Sequence, residues 1–270
     1  MPEAHEKRMT IAQHLEELRR RVLYALLGPV VGFVVCFFFL RDQVLFCLLR
    51  PMYPAWRLFG HDLLVVQPVE VRLTLNAPYT AVFNYMYVAF LAGCIATAPW
   101  WIYQLWAFVA AGLYPRERRK VAAYGATSLA LFFAGAAFFF FVIYPLTMSV
   151  LYGFADEFNA YLASQGLQPM LDKSTLFDNY MNFALLMALV CGLMFELPLV
   201  VLFLGRMGLV SLASFRKYRR LAILIIFVVA AVASPGPDVV SQLCLAIPMI
   251  LLYELGLILL RFSKRKEPAA

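Results

Sequence analysis

The sequence predicts an all-α integral membrane protein in which residues 1–270 form a single domain of six transmembrane helices. One observation behind this prediction is composition: 63% of the residues are hydrophobic and 14% are charged, against about a quarter charged in soluble domains. A second is the length of the apolar runs, because runs of about 18 or more residues indicate membrane-spanning helices. The third is the placement of the basic residues, which lie in short clusters between those runs.

Hydropathy divides the chain into six candidate spans that follow one another in order. The first is a retained helix, because no signal-peptidase cleavage pattern follows it. The second is overlong and ends in an aromatic cluster that suits the headgroup boundary, the fifth has only about 16 residues, and Pro248 interrupts the sixth. The aromatic cluster is Trp100, Trp101, Tyr103 and Trp106, and the spans are about 22–40, 78–109, 121–144, 180–205, 219–234 and 240–260.

The distribution of Lys and Arg predicts the orientation. Eighteen of these residues lie in the N-terminal segment, the second-to-third and fourth-to-fifth connections and the tail 261–270, and five lie on the other side. By the positive-inside rule both termini are cytoplasmic. The connections 41–77 and 145–179 are then periplasmic, and their mixed polarity predicts interfacial helices. The net charge of +7 does not indicate a nucleic-acid partner, because no separate basic domain carries it.

The fourth span carries one ionisable side chain, Glu196, followed by Pro198. A carboxyl group at that depth is costly unless it faces protein or water, so Glu196 is a candidate functional residue. The alternative is a neutral glutamic acid that is hydrogen-bonded to a neighbouring helix. Pro198 removes a backbone donor and predicts a kink. The kinked helix would present Glu196 to a water-accessible concavity.

Two acidic residues flank spans on the cytoplasmic side. Glu17 lies in an amphipathic helix at 10–22 that leads into the first span, and Glu117 lies among four basic residues at 112–120. Spacing alone favours ordinary i,i+4 pairs of Glu16 with Arg20 and Glu17 with Arg21, and a solvated turn around Glu117. Two carboxylates at span ends could instead bind guanidinium groups bidentately.

No motif for catalysis, nucleotide binding or metal binding is present in the sequence. The three histidines lie outside the predicted spans, and the five cysteines form no CxxC pair. We therefore expect neither an enzyme nor a protein with a cofactor, a metal or a disulfide framework.

Four stretches resemble the TatC family, the multi-spanning receptor subunit of the twin-arginine (Sec-independent) protein translocase. They occur in the expected order on the predicted elements. These stretches are HLEELRRRV at 14–22, APWWIYQLWAFVAAGLYPRERR at 98–119, GLMFELP at 192–198 and SPGPDVVSQLCLAIPMILLYE at 234–254.

The resemblance implies a cupped six-helix receptor in the bacterial inner membrane that takes part in proton-motive-force-driven export of folded proteins. It implies binding of Arg-Arg signal peptides, and partner subunits TatA and TatB, each with a single span, in a complex that we expect to hold several copies. The positions that match the family's signal-peptide site are Glu17, Arg19, Glu117, Arg118 and Arg119. Its intramembrane acid matches Glu196, its partner-docking polar positions match Ser234 and Gln242, and its structural positions match Pro51, Phe108, Pro198 and Asp238.

The chain departs from the family pattern at three places. Ala111 stands where the family usually has Pro, Thr80 stands where an acidic residue is expected, and the loop 58–77 aligns poorly. Two other classes of function remain as alternatives. A proton-coupled small-solute transporter would use Glu196 as its relay, but a single buried acid with no paired base and no internal repeat disfavours it. An intramembrane enzyme lacks a nucleophile or a metal set.

Overall fold

The computed structural model describes residues 11–40, 42–44, 73–74, 78–112, 115–168, 175–233 and 239–265. Within these ranges the chain is helical, apart from turns and two strands of two residues. The main helices are α1 (Ile11–Phe39), α2 (Pro78–Ala96), α3 (Ala98–Ala111), α4 (Pro115–Phe138), α5 (Tyr144–Ser164), α6 (Phe177–Met194), α7 (Leu197–Arg206), α8 (Leu212–Lys217), α9 (Arg219–Ala233) and α10 (Val239–Arg265). The predicted all-α class is confirmed.

Four described helical stretches are long and apolar enough to cross a bilayer, namely Leu15–Phe39, Ala123–Ile143, Ala184–Arg206 and Gln242–Ser263. The pair α2 and α3 would make a fifth span with a bend of 54°. Helix α9 has 15 residues, or about 22 Å at 1.5 Å per residue, which is shorter than a typical hydrocarbon core. The six-span topology therefore stays a prediction in which α9 is a short crossing.

The second predicted span, 78–109, is two helices that meet at Thr97. Pro99 lies at the start of α3 and has no N–H to donate to the preceding turn. Two carbonyls beside the break keep partners, because Thr97 Oγ1 donates to the Gly93 carbonyl at 2.7 Å and Trp101 Nε1 donates to the Cys94 carbonyl at 2.9 Å. The single overlong helix predicted from the sequence is therefore two helices with a bend of 54° between them.

Helix α1 lies antiparallel to α2 and α3 and packs against both. The backbones approach most closely at two glycines: a methyl group on Gly93 would come within 2.5 Å of the Gly32 carbonyl carbon. Towards the N-terminus of α1, Trp100 Nε1 donates a hydrogen bond to the Tyr24 carbonyl at 2.7 Å. Small residues commonly allow this close packing in membrane helices, and here they fix α1 against the bent pair.

Helices α4 and α6 are also antiparallel and meet at glycines. A methyl group on Gly135 would lie 2.5 Å from the Cys191 carbonyl oxygen, and one on Gly192 would lie 2.7 Å from the Phe132 ring. Phe132 is fully buried at this contact. One helical turn further along the same register, α4 brings Ser128 opposite the residues that follow α6.

The third predicted span, 121–144, continues beyond its predicted end. A π-helical turn at Phe139–Ile143 joins α4 to α5, so the chain is helical from Pro115 to Ser164. A π turn accommodates one extra residue per turn within a helix. It lies just before Pro145, which cannot donate a backbone hydrogen bond. The first part of the connection 145–179 is therefore helical and extends the third span directly. The position of this helix at the membrane interface stays a prediction.

The two connections assigned to the periplasm touch each other through a short parallel strand pair. Leu73–Thr74 pairs with Thr175–Leu176. The remainder of the loop 58–77, where the family resemblance was weakest, lies outside the described residues.

The described contacts place the N-terminal end of α1 and the C-terminal end of α10 at the same end of the bundle. The end of α3 lies beside the start of α1, and α4 begins four residues after α3 ends. Near the start of α4, the Tyr124 hydroxyl accepts a hydrogen bond from Arg206, the last residue of α7, at 3.2 Å. Arg206 also donates to Ser263 Oγ near the end of α10 at 2.6 Å.

An aromatic group fills the core between α3, α4 and α7. The Trp106 ring stacks on Tyr124 with centroids 5.7 Å apart and meets the Phe203 ring edge-on at 5.3 Å. Trp106 is 8% exposed, so its ring lies in the protein core. Trp106 therefore packs against protein, whereas Trp100 and Tyr103 are exposed, and the position of the cluster at the headgroup boundary stays a prediction.

Candidate functional site

Glu17 lies in the first turns of α1, and its carboxylate is bound by two arginines of the same helix. Arg21 Nε donates to Oε1 at 2.8 Å, and the Arg20 guanidinium donates to Oε2. The Glu17 side chain is only 10% exposed. The predicted Glu17–Arg21 pair is present, but Arg20 binds Glu17 rather than the predicted Glu16. Both oxygens of Glu17 are therefore occupied by guanidinium groups.

The bent pair holds this cluster in place. Gln104 of α3 is 4% exposed, and its Oε1 accepts a hydrogen bond from Arg21 at 3.0 Å. Arg21 thus connects Glu17 on α1 with Gln104 on α3. Because Trp100, one turn before Gln104, holds the α1 backbone at Tyr24, two consecutive turns of α3 fix the position of the Glu17 cluster.

The other predicted signal-peptide residues lie at the same end of the bundle. Glu117 is in the first turn of α4, and Arg118 and Arg119 follow it; their side chains lie outside the described part of the structure. The Arg21–Gln104 contact gives a common reference point on α1 and α3. From Gln104, α3 continues for about 10 Å to its C-terminal end, and Glu17 lies about 6 Å from Arg21 towards the N-terminus of α1. Arg19 is exposed on α1. The helix packing therefore places the N-terminal ends of α1 and α4 at the same end of the bundle.

Glu196 lies at the break between α6 and α7. The helix ends at Met194 and resumes at Leu197, with Pro198 buried in the first turn of α7, so the chain is interrupted where the proline predicts it. Ser128 of α4, which is 2% exposed, donates a hydrogen bond from Oγ to Glu196 Oε2 at 2.7 Å. Glu196 Oε1 is buried and has no hydrogen-bond partner among the described residues.

Helix α10 makes two polar contacts with the antiparallel α9 and one with α8. Arg219 Nε lies 2.6 Å from Glu254 Oε1. Gln242 Nε2 donates to the Phe227 carbonyl at 3.3 Å, at the middle of α9. On the same face of α10, the Tyr253 hydroxyl donates to the Phe215 carbonyl at 3.2 Å. These contacts connect α10 with both α8 and α9.

Several predicted residues lie outside the described ranges or play other parts. Ser234 and Asp238 fall in the undescribed turn between α9 and α10, and Pro51 falls in the undescribed connection after α1. Phe108 is half-buried on α3. Among the described residues, no group of three or more His, Cys, Asp or Glu side chains could hold a metal ion.

Three residues of these clusters were missed by the sequence analysis. Gln104 and Ser128 are single polar residues in apolar helices, and only the packing of α3 on α1 and of α4 on α6 reveals their partners. Glu254 could have been found, because it is an acid inside the predicted span 240–260. Its ion pair with Arg219 corrects the statement that the chain holds a single buried acid with no paired base.

Comparison with known proteins agrees with this architecture. Residues 13–248 match the family model described as Sec-independent protein translocase protein (TatC). The TatC of Koribacter versatilis is 34% identical over 93% of this chain and 84% of its own length. The TatC of Desulforapulum autotrophicum is 35% identical over 97% of this chain and 88% of its own length.

A solved structure described as the twin-arginine translocase receptor TatC superposes with a TM-score of 0.75 at 29% identity. The superposition covers 93% of this chain and all of that one. The named relatives are translocase components and not enzymes, which confirms the expectation that the chain is not an enzyme. This chain is therefore a multi-pass membrane protein that belongs to the TatC family of Sec-independent protein translocases.

Proposed function

We propose that this chain is the core receptor subunit of a twin-arginine translocation system in the bacterial inner membrane. It binds the Arg-Arg motif in the signal peptides of folded cargo proteins, and the proton-motive force drives export of those proteins. The observation that carries this proposal is the Glu17 carboxylate, which accepts two guanidinium groups in a nearly buried position. A carboxylate that already binds guanidinium groups of its own chain has the geometry to bind an arginine of the peptide.

Guanidinium geometry supports discrimination between Arg-Arg and Lys-Lys. A guanidinium is planar and presents donors in a fixed fork that matches a carboxylate, whereas an ammonium is a point charge without that fork. Glu17, near the N-terminal end of α1, would bind one arginine of the Arg-Arg motif. Glu117 at the start of α4 would bind the other, with Arg19, Arg118 and Arg119 setting the local charge.

The remaining polar groups suit partner assembly. We propose that the single-span subunits TatA and TatB dock along the outer face of α9 and α10, near Ser234 and Gln242. In this arrangement Glu196 holds a polar group of a partner, or water, within the bilayer. The Lys and Arg asymmetry supports the orientation with both termini in the cytoplasm.

Crosslinking of a signal peptide tests the proposed site. A photoreactive Arg-Arg peptide is added to membranes carrying the wild type, the double variant Glu17→Ala with Glu117→Ala, or the control Glu16→Ala, which removes an exposed neighbouring acid. Each lost charge-assisted pair is expected to weaken binding about tenfold or more, so crosslinking in the double variant should nearly disappear.

Export of a folded reporter measured in the same strains should fall in parallel. The control variant should behave like the wild type in both assays. Unchanged crosslinking in the double variant would exclude Glu17 and Glu117 as the binding site.

A further inference from the structure

The arginines that occupy Glu17 are consecutive in the chain. Arg20 binds Oε2 and Arg21 binds Oε1, so the carboxylate holds an Arg-Arg dipeptide belonging to the receptor itself. Consecutive residues on a helix point about 100° apart. Both nevertheless reach Glu17, because it lies three residues before one and four before the other.

The two arginines are held differently. The Arg21 side chain is 23% exposed and has a second partner in the buried Gln104. The Arg20 side chain is 60% exposed, and its contact with Glu17 is its only ion pair among the described residues. Displacing Arg21 would therefore break a contact between two helices, whereas displacing Arg20 breaks one contact within α1 and releases the side chain to solvent.

We propose that Arg20 is an exchangeable internal ligand of Glu17, which an arginine of the signal peptide replaces, while Arg21 and Gln104 hold the carboxylate in position. In the resting receptor Arg20 shields Glu17 from other cations. A lysine ammonium is more strongly hydrated than a guanidinium and therefore displaces one poorly. Arg20 thus defines the resting state of the site, and Gln104 is a positioning residue.

This inference rests on the proposed function, because it requires that the Glu17 carboxylate binds an arginine of the signal peptide. Its thermodynamic consequence is that the apparent affinity for the peptide equals the intrinsic affinity multiplied by the fraction of receptors in which Arg20 does not cover Glu17. An exposed ion pair within one helix would account for about a twofold loss, and a charge-assisted hydrogen bond to a nearly buried carboxylate for about tenfold. Removal of Arg20 should therefore raise the affinity for an Arg-Arg peptide two- to tenfold.

The test measures peptide binding to the full-length protein in lipid nanodiscs by fluorescence anisotropy. The probes are a labelled peptide with an Arg-Arg pair before an apolar segment, and the same peptide with Lys-Lys. The variants are Arg20→Gln, Arg20→Lys, Glu17→Gln and the double variant Arg20→Gln with Glu17→Gln. Arg216→Gln, at an exposed site on α8, removes the same charge elsewhere and serves as the control.

We expect Arg20→Gln to bind the Arg-Arg peptide two- to tenfold more tightly than the wild type, and binding of the Lys-Lys peptide to strengthen by the same factor, because Arg20 competes equally with both peptides. Arg20→Lys keeps the charge and should show a smaller gain, and Arg216→Gln should show none. The gain should vanish in the double variant. Gel filtration and thermal unfolding of each variant identify any loss of folding, and Arg20→Lys provides a second reading if Arg20→Gln is unstable.

Two results separate this inference from the function on which it rests. Equal or weaker Arg-Arg binding in Arg20→Gln, with binding lost in Glu17→Gln, would overturn the exchange of Arg20 and leave Glu17 as the acceptor. Undiminished binding in Glu17→Gln would overturn the proposed site and this inference with it.

Discussion

Replacing Ser128 by alanine should expose the dependence of Glu196 on a single hydrogen bond. Ser128 is 2% exposed, its Oγ lies 2.7 Å from Glu196 Oε2, and the other carboxyl oxygen has no partner among the described residues. Hydrogen bonds between membrane helices contribute about 0.6 kcal/mol on average and up to about 1.7 kcal/mol. Because this bond is short and links a carboxyl group, we expect a coupling of about 1 to 1.7 kcal/mol.

A double-mutant cycle measures that coupling. The free energy of unfolding is obtained by titrating SDS into mixed micelles of the wild type, Ser128→Ala, Glu196→Ala and the double variant. The matched control is Thr127→Ala, since Thr127 is exposed and its hydroxyl bonds its own helix at the Ala123 carbonyl; combined with Glu196→Ala it should show no coupling. Additivity of independent mutations holds within about 0.3 kcal/mol. A Ser128–Glu196 coupling smaller than that would refute the inference that this hydrogen bond holds α4 against the break between α6 and α7.

Two further predictions concern the contacts that hold the helices together. Gly93→Ala should destabilise the protein by about 1 to 3 kcal/mol in the same SDS titration, because its methyl group would meet the Gly32 backbone, whereas Gly153→Ala, with open space around it, should be neutral or slightly stabilising. Arg219→Gln should lower stability because it leaves Glu254 without its ion-pair partner, and adding Glu254→Gln should restore most of the loss; a double variant no more stable than the single one would contradict this.

Hydropathy and charge predicted the helical class because both reflect a property of each segment alone. A run of apolar residues must form a helix in lipid whatever its neighbours are, since the backbone has no other partner there. Pro198 likewise predicted its own interruption, which occurs between Met194 and Leu197. The same reasoning applied to Pro99 would have predicted the bend at Thr97, but the overlong segment was treated as one span.

The candidate sites depended on packing that no single segment contains. Glu17 and Arg21 could be paired by helical spacing alone, but Gln104 is 83 residues away from Arg21. Their contact exists because glycines let α1 lie against the bent pair in one register. The Ser128–Glu196 bond has the same origin, in the glycine contacts between α4 and α6. Sequence reasoning thus located Glu17 and Glu196 but could not identify the side chains on other helices that hold them.

The bend at Thr97 has a consequence for the end of the bundle that carries Glu17. Straightening the two halves into a continuous rod would disturb the hydrogen bonds that Thr97 and Trp101 make to the carbonyls of the preceding turn. It would also pull Gln104 away from Arg21. The angle therefore belongs to the folded state, and it fixes the direction from which the polypeptide enters α4. A substitution that straightened this bend would displace both Glu17 and Glu117 without altering either residue.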